Sequence, residues 1–142
     1  MRNRFSVPVV VIIMETEGQK LKKVWTILYC TFGIVPIVAG LDKFTHVLTD
    51  WDKYLSPMVA QMLPVAPHAF MMAVGIIEVL AGIIVFIRPG VGAYIVMVWL
   101  IAIALQLILM MNYLDVAVRD LVMAISAFSL GKLSAIVLPG RT

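Results

Sequence analysis

Four apolar runs of 18 to 20 residues, each closed by charged or turn-forming residues, set the pattern of this chain: 24–41, 68–87, 93–111 and 115–134. At 1.5 Å of rise per residue such a run makes roughly 30 Å of helix, the thickness of a bilayer's hydrocarbon core. Between the first two runs lies the one long connection, 42–67. Within it Ser56-Pro57 has the form of a helix cap followed by proline at the first helical position. A short surface helix over 58–63, ended by Pro64, is expected there. Asp50, Trp51, Asp52, Lys53 and Tyr54 have the composition of an interfacial segment. Arg88-Pro89-Gly90 predicts a tight turn between the second and third runs, and Asn112-Tyr113 closes the third.

Residues 1–23 read as an N-terminal arm. Arg2 and Arg4 precede an apolar stretch, 7–14, as in a signal peptide, but the stretch is short, contains Pro8 and leads to no small-residue cleavage site. A short extended or interfacial segment is predicted, with Met14 a plausible alternative start. Glu15, Glu17, Lys20, Lys22 and Lys23 follow as a polar collar. The transmembrane unit covers 24–138, and 139–142 form a tail.

Small residues recur at helical spacing. Gly33 and Gly40 lie seven apart in the first run, with Pro36 between them as a predicted kink. His68, Gly75, Glu78 and Gly82 share one stripe of the second. In the fourth, Asp120, Ala124, Ala127, Gly131 and Ser134 share another. Such stripes let helix backbones approach closely in lipid. The fold class expected is therefore all-α, a four-helix transmembrane bundle with a short interfacial helix in its outer loop.

Composition supports the membrane assignment. The chain is 63% hydrophobic and 13% charged, with a mean hydropathy of +1.05, against about 25% charged residues in soluble domains. The net charge of +3 does not indicate nucleic-acid binding, because the basic residues sort by topology. With four spans both termini share a side. That side holds Arg2, Arg4, Lys20, Lys22, Lys23, Arg88, Lys132 and Arg141, against Lys43, Lys53 and Arg119 on the other. The positive-inside rule then puts both termini in the cytoplasm, and a bacterial inner membrane is the expected location. The single cysteine, Cys30, lies in an apolar run and is read as a small buried residue, unable to form an intrachain disulfide.

The candidate chemistry centres on Glu78. A carboxylate near the middle of a span is unfavourable by about 2.5–3.5 kcal/mol on insertion scales and must face protein or a water-filled cavity. It stays ionised only if Lys43 or Arg119 reaches it. Lys43, Gln106, Arg119, Asp120 and His68 all fall toward the outer ends of the spans. Together with Glu78 they predict a polar crevice opening outward. His46 and His68 lack a second ligand at helical spacing and are read as interfacial polar tips, so no metal site is expected. The methionines are read as core packing, although Met71-Met72 and Met110-Met111 stand where a pathway for an apolar ligand would begin. No phosphate-binding loop, nucleophile elbow or His-Glu-x-x-His pattern occurs.

These residues give the chain a resemblance to the DoxX-like family of small four-helix membrane proteins, over about 26–135. The resemblance rests on Gly33 and Gly40 before Lys43-Phe44, Gly75-x-x-Glu78-x-x-x-Gly82, and Arg119-Asp120 opening the fourth helix. It implies a role in membrane oxidoreductase complexes, some relatives being linked to thiosulfate:quinone oxidoreduction, and it points to Lys43, Glu78, Arg119 and Asp120. The expected function is a non-catalytic accessory subunit of a larger respiratory or redox complex. The alternatives are a quinone-linked oxidoreductase subunit that uses Glu78 and Asp120 for protons, and a binder or transporter of a lipid-like ligand. No catalytic residue and no resident cofactor is assigned. A bound quinone or lipid, and other membrane subunits or copies of the chain, are the expected associates.

Overall fold

The computed structural model describes residues 6–62 and 64–140, with side chains from Met14 onward. Five helices account for most of it: α1 (Ser6–Thr45), α2 (Pro57–Met62), α3 (Pro67–Ile87), α4 (Pro89–Leu109) and α5 (Leu114–Val137), with a 3-10 turn at Trp51–Tyr54. Four of them, taking α1 from Met14, are long and apolar enough to cross a membrane. The protein is an integral membrane four-helix bundle. Helix α1 packs chiefly on α3 and α4 on α5, while α3 against α4 and α5 against α1 complete the ring; α1 and α4 barely touch.

The arm is the main departure from expectation. Its backbone is helical from Ser6, so among the described residues the arm has neither an extended segment nor a break at residue 23. Pro8 falls in the first turn, where a missing N–H leaves no hydrogen bond unmade. The collar is rich in Glu, Lys, Gln and Leu, which propagate helix well. Lys20 donates to Glu17 one turn earlier at 2.8 Å. The resulting helix of 40 residues is about 60 Å long, twice the hydrocarbon thickness.

The α3–α4 turn also differs. Arg88 alone joins the two helices: its N–H donates to the Ile84 carbonyl and its own carbonyl accepts from Gly92. Pro89 is already the first residue of α4, the position proline favours. A Cβ on Gly92 would lie 2.5 Å from Val85 Cα, a close approach the sequence reading did not single out. Helix α2 begins at Pro57 as expected.

The glycine stripes of α1 and α3 meet face to face. A Cβ on Gly40 would lie 2.4 Å from the Gly75 carbonyl oxygen, and one on Gly82 would lie 2.6 Å from that of Gly33. As α1 advances seven residues α3 retreats seven, so the helices are antiparallel and nearly in backbone contact. On α5, Ala124, Ala127, Gly131 and Ser134 are buried, with Gly131 beneath the Tyr94 ring. Trp25 stacks on Tyr29 and donates from Nε1 to Ser134 Oγ at 2.9 Å, so this aromatic pair ties α1 to α5. Phe32, Ala81, Val85, Ala93, Val96, Ala127 and Leu130 form the inner core. A smaller cluster of Ala104, Leu107 and Ala117 sits nearer the connection between α4 and α5. Ile27, Ile76, Val98, Val122 and Ile125 are exposed, as suits a surface solvated by lipid tails. Cys30 belongs to this exterior, contrary to the buried position expected of it.

Candidate functional site

Gly40 precedes Lys43 by three residues, and Gly75 precedes Glu78 by three. The two close-packing glycines are therefore one turn from the two charges, on the same helix faces. Removing both Cβ atoms lets the last turn of α1 slide against the middle of α3. A Cβ on Gly75 would stand 3.1 Å from Lys43 Cβ, so the lysine stem runs through the space that glycine leaves. Lys43 Nζ then meets Glu78 Oε2 at 2.5 Å. The side chains are only 4% and 9% exposed, and of the two cations expected within reach of Glu78 it is Lys43 that meets it.

Two tryptophans complete the pair. Trp99 on α4 donates from Nε1 to Glu78 Oε1 across a long 3.4 Å. The ring of Trp51 covers the ammonium, with Nζ 3.8 Å from the ring centroid, a favourable cation–π position. Trp51 is thus folded inward over the pair. Its Nε1 donates to Asp42 Oδ2 at 2.7 Å. Asp42 also accepts from Thr45 Oγ1 and from the Val47 and Leu48 amides. This buried carboxylate ends α1, satisfies the amides beyond it and anchors the loop that carries Trp51. Sequence reading left Asp42 as the first residue of the 42–67 connection, without that role. Its signal, an Asp followed at short range by Thr and Trp, is too common to single out.

The pair borders a cavity of about 490 Å³. Lys43, Glu78, Gln106, Arg119 and Asp120, five of the six residues expected in a crevice, line it. Phe32, Val96, Trp99, Leu107 and Met123 give it a largely apolar wall, shared with both core clusters. Gln106 donates from Nε2 to the Tyr54 carbonyl at 2.9 Å, holding the 3-10 turn against α4. Arg119 sits at the rim, paired loosely with Asp115 at 3.7 Å with both side chains mostly exposed. Asp120 is half-buried. Trp51, Trp99 and Tyr54 line the cavity as well and were not among the residues expected there. Of the methionine pairs, Met71 contributes to the wall, whereas Met111 is exposed.

His68, the sixth, lies elsewhere. Its ring stacks on His46 with centroids 5.3 Å apart, and its Nδ1 is 3.5 Å from Asp52 Oδ2. The loop brings together three potential ligands that lie up to 22 positions apart in sequence, which no local spacing rule detects.

The arrangement can hold an amphipathic molecule. Pockets for such ligands are mostly apolar with a few convergent polar groups, and volumes of about 300–1,000 Å³ are typical. No known protein family, curated protein or solved structure matches the chain. The geometry of the bundle is therefore the ground for any functional reading.

Proposed function

We propose that this protein is a quinone- or lipid-binding membrane subunit without a catalytic centre of its own, working within a larger redox complex. The observation that carries this reading is the buried Lys43–Glu78 pair, flanked by Trp51 and Trp99, beside a largely apolar cavity. A quinone head group is a flat ring bearing two carbonyl acceptors. Lys43 and the Trp99 N–H offer donors, and Trp51 and Trp99 offer ring faces. The isoprenoid or acyl tail of such a ligand suits the wall of Phe32, Val96 and Leu107. Glu78 and Asp120 provide carboxylates for any proton taken up or released. Electrons would come from a redox-active partner. The resemblance to DoxX-like proteins agrees with this setting.

The partner is motivated by α1. Met14 is 69% exposed, and the collar that follows it is exposed too. A helix continuing beyond the bundle with its side chains exposed is a suitable docking arm for a neighbouring subunit. The balance of Lys and Arg supports cytoplasmic termini in a bacterial inner membrane, with the 46–66 connection outside.

Trp51 and Trp99 also supply the test. Titrating the purified protein in nanodiscs with a short-chain ubiquinone should quench tryptophan fluorescence saturably, and Lys43→Met should abolish the saturable phase. Native mass spectrometry after gentle extraction should show a quinone- or lipid-sized adduct and partner subunits. Linear, non-saturating quenching together with an adduct-free spectrum would overturn the ligand-binding reading.

A further inference from the structure

We propose that His46, Asp52 and His68 form a binding site for a divalent transition-metal ion of the zinc class, and that the ion clamps the outer loop across the mouth of the bundle. One ligand atom from each residue lies within 4.8 Å of the other two. The three come from separate segments: the residue after the end of α1, the 3-10 turn, and the first turn of α3. Two imidazoles and one carboxylate form a donor set suited to zinc and its first-row neighbours, and three protein ligands leave a position for water.

The local chemistry favours a cation over a simple hydrogen-bonded trio. Asp52 Oδ1 is shielded from solvent and has no hydrogen-bond partner among the described residues. Its other oxygen is 3.5 Å from His68 Nδ1, a long contact for a charge-assisted bond. Buried polar oxygens are nearly always satisfied, and a metal ion meets that need. Tetrahedral zinc with bonds of about 2.0–2.2 Å requires donors about 3.4 Å apart, so the trio, within 4.8 Å, must close by at most about 1.4 Å. His68 is half exposed and can rotate to do so. His46 adopts a left-handed backbone conformation, φ 54°, one that histidine tolerates better than most residues. The positive end of the α3 dipole opposes a cation beside His68; the Asp52 carboxylate offsets it.

The consequence follows from the neighbours of Asp52. Trp51 covers Lys43, and Tyr54 is tied to Gln106; both line the cavity. An ion bridging Asp52 to the ends of α1 and α3 fixes that turn in place and so controls entry from the outer side. The clamp does not depend on which ligand the cavity takes.

The experiment uses the full chain, tag-free, in detergent or nanodiscs. Equilibrium dialysis against Zn²⁺ should give one ion per chain, and Co²⁺ should give the visible absorption of a nitrogen- and oxygen-ligated site. The double variant His46→Ala/His68→Ala, and Asp52→Asn alone, should each weaken binding about 100-fold or more, since even outer-shell changes cost 10–100-fold. Zn²⁺ should also slow amide exchange across residues 47–56 in the wild type and not in the variants. Failure of the wild type to retain Zn²⁺, or equal retention by the double variant with its helical content intact, overturns the site. The Co²⁺ spectrum of the wild type decides the matter should the variants not fold.

Discussion

Breaking the Lys43–Glu78 pair from one side is the perturbation with the largest expected effect. Both side chains are nearly inaccessible, so Glu78→Leu leaves an ammonium without its carboxylate in the interior of the bundle. Removing one partner of such a pair costs about 3–5 kcal/mol. A ceiling exists because neutralising a lysine of ordinary basicity at pH 7 costs about 4.6 kcal/mol. Glu78→Leu also takes away the acceptor for Trp99 Nε1, a small term at 3.4 Å. The double variant Lys43→Met/Glu78→Leu removes both charges and keeps similar volume, and apolar replacement of a whole buried pair is often neutral or stabilising. Unfolding in mixed micelles, followed by tryptophan fluorescence, should therefore show Glu78→Leu lower by about 3–4.5 kcal/mol. The double variant should fall within about 1.5 kcal/mol of the wild type, a coupling well above the 0.5 kcal/mol at which additivity fails. A single-variant loss below about 1 kcal/mol, or additive losses in the double variant, would refute a desolvated ion pair and imply water reaching Lys43.

Further outcomes follow from the same contacts. Gly40→Ala sets a methyl 2.4 Å from the Gly75 carbonyl, backbone that cannot step aside. It should cost about 1–3 kcal/mol or more and should loosen the Lys43–Glu78 pair, whereas Gly18→Ala, with nothing within 4 Å, should be neutral or stabilising by up to about 1 kcal/mol; equal melting temperatures for the two would count against the glycine contact. Asp42→Ala deprives the Leu48 amide and Trp51 Nε1 of their acceptor. Hydrogen exchange at residues 47–51 should rise about 10-fold or more, at roughly 1.5–3 kcal/mol per charged hydrogen bond lost, while exchange in the inner core stays unchanged. Asp115→Ala should change stability by less than about 0.5 kcal/mol, because its pair with Arg119 is exposed and such pairs are weak; a larger loss in the same micelle assay would mean the pair is structural.

Four apolar runs of bilayer length were sufficient to determine the class of fold, because lipid admits few alternatives to a helix with its backbone bonded internally. The second span, 68–87, agrees with α3 to one residue because prolines lie before it and Arg88 after it. The glycines of α1 and α3 were legible as a packing face, since small residues at helical spacing have little other use there. The extent of α1 was not, because charge marks where lipid ends rather than where helix ends, and the collar of Glu and Lys continues the turn. Nor did sequence decide which of the charges at the ends of the spans would turn inward. Lys43, Asp42 and Lys53 look alike as boundary residues; only the near-contact of Gly40 with Gly75 carries Lys43 to Glu78, and only the fold of the loop lays Trp51 over it. The grouping of His46, Asp52 and His68 likewise exists only once the loop has closed. Periodicity along one helix is written in the sequence, but partnership between helices depends on which two faces meet and at what register, and that is settled by packing.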